Sequence, residues 1–178
     1  KSARAEVREL KLGELSFNPV LNANAEVRSG QKEAQALEPD LVKAQQDIAW
    51  ADHLVFVYPS WWGTMPGLLK GFIDRVFLPG FAFKYQKGKA LPDQLLKGKT
   101  ARLIVTMDTP SWWNRFIYHA AGHNAMRHAT LYFCGIRPVK ITDLGGMRNT
   151  TLEQRTKWLE QIRRLAAKEV VSANSSRD

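Results

Sequence analysis

HLVFVYPSWWGTMPGLLKGFIDRVFLPG, residues 53–80, is the stretch that decides the fold. It opens with a continuous apolar run of strand length that ends at Pro59. A run of this kind, carrying Val55 and Val57, fits a strand buried on both faces of a parallel sheet. Leu68, Leu69, Phe72, Ile73, Val76 and Phe77 then recur at helical spacing, and Pro79 and Gly80 stop the helix. Thr64 is placed to cap that helix, with Pro66 in its first turn. Between strand and helix stands SWWG. Rings of that size normally enter a core, so two tryptophans at the mouth of a loop ask for a reason.

The same alternation continues outward. ARLIVTM, from Ala101 to Met107, reads as a second buried strand. An aromatic loop follows, DTPSWWNRFIYHAAGHN, and then a helix from about Asn124 to Cys134, stopped by Gly135 and Pro138. PVKITDL, from Pro138 to Leu144, is the third strand. Thr150 and Glu153 have capping-box spacing for a last helix that turns Leu152, Trp158, Leu159, Ile162 and Leu165 inward. The tail, from about residue 170 through SANSSRD, is expected to be disordered. Upstream, Pro39 opens a helix with Leu41, Ala44, Ile48 and Ala51 on one face. Glu6–Leu12 alternates through Val7, Leu10 and Leu12 as a short strand, and Gly13 to Gly30 shows no regular element. Alternating strands and helices give an α/β fold, a doubly wound parallel sheet in a single domain over residues 1–178. Ligands of such sheets bind outside the carboxyl ends of the strands. Here those ends are Pro59–Gly63, Met107–Trp113 and Leu144–Met147.

Composition narrows the classes. The chain has 178 residues, 44 % of them apolar, enough for a core. No stretch approaches the roughly 20 apolar residues of a membrane span. The opening KSARAEVREL has no apolar signal core, and Cys134 is the single cysteine. These features suit a cytoplasmic protein. The net charge of +9 suits an anionic partner or simply a solvated basic surface. The basic residues are dispersed and form no nucleic-acid module, so direct nucleic-acid binding is not expected.

The strand-end loops supply Trp61, Trp62, Trp112, Trp113 and Tyr118, with Gly63, Gly145 and Gly146 for close backbone approach. Asp108 is their clearest carboxylate. They contain neither a P-loop nor a dinucleotide-binding glycine motif, and no Ser-His-Asp arrangement. Flat aromatics and bare backbone suit a flat, largely apolar ligand such as a flavin ring. A purely structural aromatic cluster fits the composition equally well. His119 and His123, four apart, would share a helical face, but no third ligand stands near them and no metal site is expected. Proton donation suits one of them better. His53 and His128 read as structural, Cys134 as a small buried hydrophobe, and Lys70 with Asp74 as a surface pair.

YPSWWGTMPGLLKGFIDRVFLPGFAFKY, residues 58–85, resembles the signature stretch of the flavodoxin-like NAD(P)H:quinone oxidoreductases, the DT-diaphorase family. Bacterial relatives of that family include ancillary subunits of potassium-efflux systems. LYFCGIRPV, from Leu131 to Val139, resembles a second family block, and the likeness runs from about Glu6 to Ala166. The resemblance implies a flavodoxin-like fold, bound FMN or FAD, NAD(P)H as donor, quinone-like acceptors reduced in a two-electron ping-pong reaction, and a homodimer with shared sites. It places Pro59, Ser60, Trp61, Trp62 and Gly63 along the flavin ring, and Thr106, Met107, Asp108 and Thr109 in a second flavin loop. Asp108 and Thr109 stand where the family often has two glycines. Phe83 and Tyr85 match aromatics that reach the partner subunit's substrate pocket. Tyr118 and His123 match a pair that assists charge relay, with His119 as competitor for the histidine. Family members open with a strand, a phosphate-cradling loop and a helix, whereas this sequence starts near the end of that helix. A longer natural chain is therefore expected, the sheet here lacking the first strand, the phosphate loop and most of the first helix. Two other functions remain open: a flavin-binding regulatory subunit of a membrane transporter, and a flavodoxin-type electron carrier. The strongly basic charge argues against the carrier.

Overall fold

A computed structural model describes residues 5–21 and 37–175. The 3-10 turn Leu12–Glu14 leads to α1 (Pro39–Trp50), β1 (His53–Pro59) and α2 (Gly67–Val76). A short hairpin follows, β2 (Phe83–Lys84) with β3 (Asp93–Gln94), and then β4 (Thr100–Met107) and α3 (Ser111–Phe116). The element α4 is α-helical over Ala121–Asn124 and π-helical over Ala125–Tyr132. After β5 (Val139–Gly145) and a 3-10 turn at Met147–Asn149, α5 (Leu152–Ser175) ends the described chain.

The main sheet is parallel with order β1-β4-β5, and its register places Tyr58 beside Val105 and Val105 beside Asp143. Because side chains alternate along a strand, one face carries Tyr58, Leu103, Val105 and Val139. These join Leu41 and Ala44 of α1, Leu69, Phe72 and Val76 of α2, and Met126 and Leu131 of α4 in one core. The opposite face carries His53, Val55, Val57, Arg102 and Thr142 and meets α5.

Strands and helices fall close to where periodicity puts them, but several expectations are corrected. Residues 5–11 form no strand. Their alternation finds no ladder partner among the described residues, and Val7 stays exposed while Leu10 packs on the core. β1 is not buried on both faces: Val55 and Val57 are 53 % and 69 % exposed, because α5 leans over β4 and β5 instead. Thr64 does not cap α2. It is spent in a turn with Trp61, and the helix starts after Pro66. The capping hydroxyl of α5 belongs to Thr151, which accepts from the Gln154 amide at 3.2 Å, while the Thr150 hydroxyl donates to Met147 O. Trp158, Ile162 and Leu165 are half-buried, but Leu152 and Leu159 stay exposed, since a helix on one strand pair buries only a narrow stripe. The expected disordered tail is helical as far as Ser175, for no glycine or proline stops it; residues 176–178 lie outside the described residues. In the expected aromatic loop after β4, Pro110 instead opens α3. From residue 22 onward, the stretch read as irregular also lies outside the described residues.

Buried charges fix the layers. Arg75 of α2 is 2 % exposed; its guanidinium donates to Asn18 O and to both Glu38 oxygens. That bidentate grip holds the 16–19 segment over α2, where Gly71 leaves no room for a Cβ against Pro19. Lys99 Nζ donates to Ala49 O and Ala51 O at 2.7 Å each, satisfying carbonyls at the end of α1. Arg102 rises from the sheet to bond Glu169 of α5 at 2.6 and 2.9 Å and Thr142 at 2.6 Å. Burial pushes the Glu169 carboxyl up, but the Arg102 hydrogen bonds and charge outweigh it and hold the group below its usual range. Cys134, 2 % exposed, closes α4 against the core, and burial pushes its thiol up to about 12.

Candidate functional site

The carboxyl ends of β1, β4 and β5 converge through their backbones. Ser60 N donates to Thr106 O at 2.7 Å, continuing the ladder one residue past Pro59. Trp61 and Thr64 then exchange two hydrogen bonds, at 2.9 and 3.1 Å. The two residues between them, Trp62 (φ 50°) and Gly63 (φ 74°), both have positive φ, as a type I′ turn requires. Glycine takes that backbone freely, but tryptophan does so at a cost of about 1 kcal/mol or more. Among the described residues no packing offsets that cost, since Trp62 is completely exposed. The turn thus projects an indole outward at the strand end.

Two glycines lock the neighbouring loops. A Cβ on Gly122, at the start of α4, would collide with the Gly63 carbonyl and lie 2.9 Å from Thr64 Cα. A Cβ on Gly145 would lie 2.6 Å from Ser111 Oγ and 2.9 Å from Thr109 O. So the Trp61–Thr64 turn rests on α4, and the end of β5 rests on the loop after β4. Exposed aromatics crowd this end: Trp61, Trp112, Phe116 and Tyr118, with Trp112 and Trp113 edge to face at 5.5 Å.

The sequence-derived candidates divide. Pro59, Ser60, Trp61, Trp62 and Gly63 lie together around the turn, and Thr106 joins them through Ser60. Asp108 and Thr109 follow in the neighbouring loop, where Asp108 is exposed and 3.4 Å from Arg148. The Met107 side chain is buried in the core, so only its backbone faces the strand end. Phe83 packs edge to face on Phe133 at 5.0 Å within its own chain and on Tyr85 at 5.4 Å, leaving Tyr85 half-exposed at the surface. His119 and His123 do not share a helical face. His119 and Ala120 both have positive φ (51° and 49°), and the helix begins only at Ala121.

His123 is buried. Its Nε2 lies 2.7 Å from Asp143 Oδ1 and 3.2 Å from the Asn114 amide. With the ring proton on Nε2 the imidazole donates to Asp143, and the Asn114 Nδ2, itself a donor, is then a neighbour of that nitrogen and not bonded to it. Tyr118, half-exposed in the turn after α3, is not among these partners. Tyr58 lies on the same sheet face, and burial, reinforced by the Asp143 charge, pushes its hydroxyl up to about 12. Sequence reasoning does not single out Asn114 or Asp143. The available signal was a carboxylate on the core-facing side of VKITDLG, where alternation calls for an apolar residue. Among the described residues, no group of three His, Cys, Asp or Glu side chains is gathered to hold a metal. No helix among them is long and apolar enough to cross a membrane.

This arrangement has relatives. A family profile described as flavodoxin-like fold matches residues 1–168. Human ribosyldihydronicotinamide dehydrogenase [quinone] is 33 % identical over 137 residues, 70 % of this chain; the chain spans 54 % of that relative's length. The Smu.1420 protein of Streptococcus mutans UA159 superposes with a TM-score of 0.71 at 32 % identity, over 85 % of this chain and 77 % of that one. The NAD(P)H:quinone oxidoreductase of Methanothermobacter marburgensis gives 0.64 at 25 % identity, over 83 % and 72 %. The parallel order β1-β4-β5, the turn at the end of β1 and the match over residues 1–168 carry one conclusion: the chain belongs to the flavodoxin-like fold family.

Proposed function

We propose that this chain works in a flavin-dependent NAD(P)H oxidoreductase that reduces quinones or similar flat electrophiles by two-electron, ping-pong transfer. The observation that carries this reading is Trp62, held at positive φ and fully exposed at a strand end where α/β sheets bind ligands. Backbone strain with no packing return belongs to a residue kept for a ligand. Relatives named as quinone dehydrogenases and oxidoreductases support the reaction class.

The residues present fit the ring of a flavin, FMN or FAD. The Trp61–Thr64 turn offers a flat indole, and Gly63 lets the ring edge approach bare backbone. When bound, flavin supplies the hydride chemistry. Pro59 to Gly63 and Thr106 to Thr109 would hold and orient the ring, and Trp61 and Trp112 would exclude water from it. His123, oriented by its hydrogen bond to Asp143, is the candidate to offset negative charge on the ring. Tyr118, half-exposed in the turn after α3, is the second candidate to offset that charge. A second copy of the chain completes the site, with Tyr85 and the edge of Phe83 facing across; sedimentation of the loaded protein as a dimer tests this.

The deciding experiment is the mass of any cofactor released from purified protein, together with NAD(P)H-driven quinone reduction. A released FMN or FAD, lost in Trp62→Ala, is the expected result. Colourless protein with no quinone reduction would sink the proposal.

A further inference from the structure

Beside the strand ends, between α3, α4 and the outer strand β5, lies a cavity of about 590 Å³ that shares Trp112 and His123 with the rim of the ring site and extends away from it. Its polar lining is cationic: Arg115 from α3 and Arg127 from the π-helical part of α4, with His123 and Asn124. Trp112 and Phe116 provide flat apolar walls. Asp143 also borders it, but that carboxylate is engaged by His123. Among the described residues neither guanidinium has an ion-pair partner. Arg127 is half-buried, and its Nε is fully buried with no hydrogen-bond partner. A buried N–H without an acceptor is costly, and natural structures seldom leave one so, while the rest of the Arg127 fork stays open to the cavity.

We propose that this cavity binds a phosphate group of the nicotinamide nucleotide donor, with Arg127 as the fork and Arg115 as the second positive charge. The proposal rests on the reading of the chain as an NAD(P)H oxidoreductase. Two unpaired guanidiniums suit a phosphate dianion, and the planar fork matches its oxygens two at a time. Trp112 and Phe116 suit the base or sugar attached to it. The cavity adjoins the ring site through α4: Gly122 supports the Trp61–Thr64 turn, and the next residue, His123, lines the cavity. A cavity of this size is typical for small-molecule ligands.

Two phosphates of such a donor share this chemistry, the bridging diphosphate and the 2′-phosphate. Calorimetric titration of the full chain with ADP and with 2′-AMP separates them. Saturable binding of ADP alone assigns the diphosphate, and binding of 2′-AMP assigns the 2′-phosphate. In either case Arg127→Gln should weaken the bound probe by about tenfold or more, the usual scale for a charge-assisted pair. Should Arg127→Gln not fold by circular dichroism, Arg127→Lys replaces it; it keeps the charge, loses the fork, and should still bind several-fold more weakly. Binding of neither probe, or unchanged affinity in a folded Arg127 variant, overturns the proposal. Flavin content is measured on the same samples. Probe binding by a protein without flavin would fault the oxidoreductase reading and not the cavity; flavin with quinone reduction but no probe binding would fault the cavity alone.

Discussion

On one face of the sheet Leu103, Val105 and Tyr58 meet three helices in a continuous apolar core. On the other, Arg102, braced by Thr142, meets one carboxylate of α5, and Val55 and Val57 look outward. The first face is held by many contacts, none decisive. The second combines a narrow apolar stripe, with Ile104 and Leu144 on the sheet and Trp158, Ile162 and Leu165 on α5, with the buried Arg102–Glu169 pair, which also draws in His53 and Lys140, each 3.4 Å from Glu169. The site belongs to the first face and its upper rim: His123, Asn114 and Asp143 are anchored under α3 and α4. The difference separates what keeps α5 in place from what shapes the ligand slot.

Substitutions can break that separation or sharpen it. Arg102→Met should cost about 3 kcal/mol, because Glu169 loses its bidentate partner and keeps only the longer contacts to Lys140 and His53. Urea unfolding should show this as the largest loss, with α5 freed. Arg102→Met combined with Glu169→Leu should recover most of it; no recovery would mean that α5 is held by something other than this pair. Next comes Gly122→Ala, expected to cost about 2 kcal/mol through collision with the Gly63 carbonyl. Its particular mark is on function. Flavin content should fall, since the turn carrying Trp62 must shift, whereas the Arg102 variant, where it remains folded, should keep its flavin. Trp62→Asn runs the other way. Relieving the left-handed strain should stabilise the chain by about 1 kcal/mol, read as a raised urea midpoint, while flavin retention drops.

The smallest effect is acid sensitivity between pH 7.5 and 5.5. Burial, opposed by the Glu169 charge, holds the His53 imidazole below its ordinary value. The unfolded chain therefore takes up the proton first, and stability falls as pH drops through the ordinary histidine range. His53→Gln should flatten that part of the profile. Glu169 and Asp47 add to it only at lower pH. The Asp47 carboxyl is held down by hydrogen bonds from Lys43 and Arg8. Each such carboxylate stabilises the fold above its unfolded value, and that contribution disappears as pH falls through its folded value.

How much of this was legible in the sequence follows from the physics of each part. HLVFV, ARLIV and the FIDRVF helix declare themselves by period and length, because burial of apolar groups is a local pattern. The strand-end rule then points to Trp61, Trp62 and the loop after β4 without any structure. The turn's two positive φ values are less visible, since Trp-Gly is not a residue pair that such turns favour. The neighbours of His123 come from α3 and β5, 9 and 20 residues away, and only packing brings them together. Arg102 sits in a run that reads as uniformly buried, so nothing local announces an ion pair across 67 residues. Thr64 and Thr150 mislead for a related reason. The Thr64 backbone is taken up by the turn with Trp61, and the Thr150 hydroxyl by Met147 O, before either can cap a helix.

Cys134 has a use that follows from its position alone. It is the chain's one thiol, sealed in the core where α4 ends, with its ionisation pushed up to about 12. The thiolate is the form that alkylating reagents attack, so the folded protein is nearly inert to them. Labelling must wait until α4 lifts from the sheet. The speed at which a thiol reagent reaches Cys134 is thus a stopwatch for opening of the very helix that carries His123 and Arg127, and any ligand that settles between α4 and β5 should slow it.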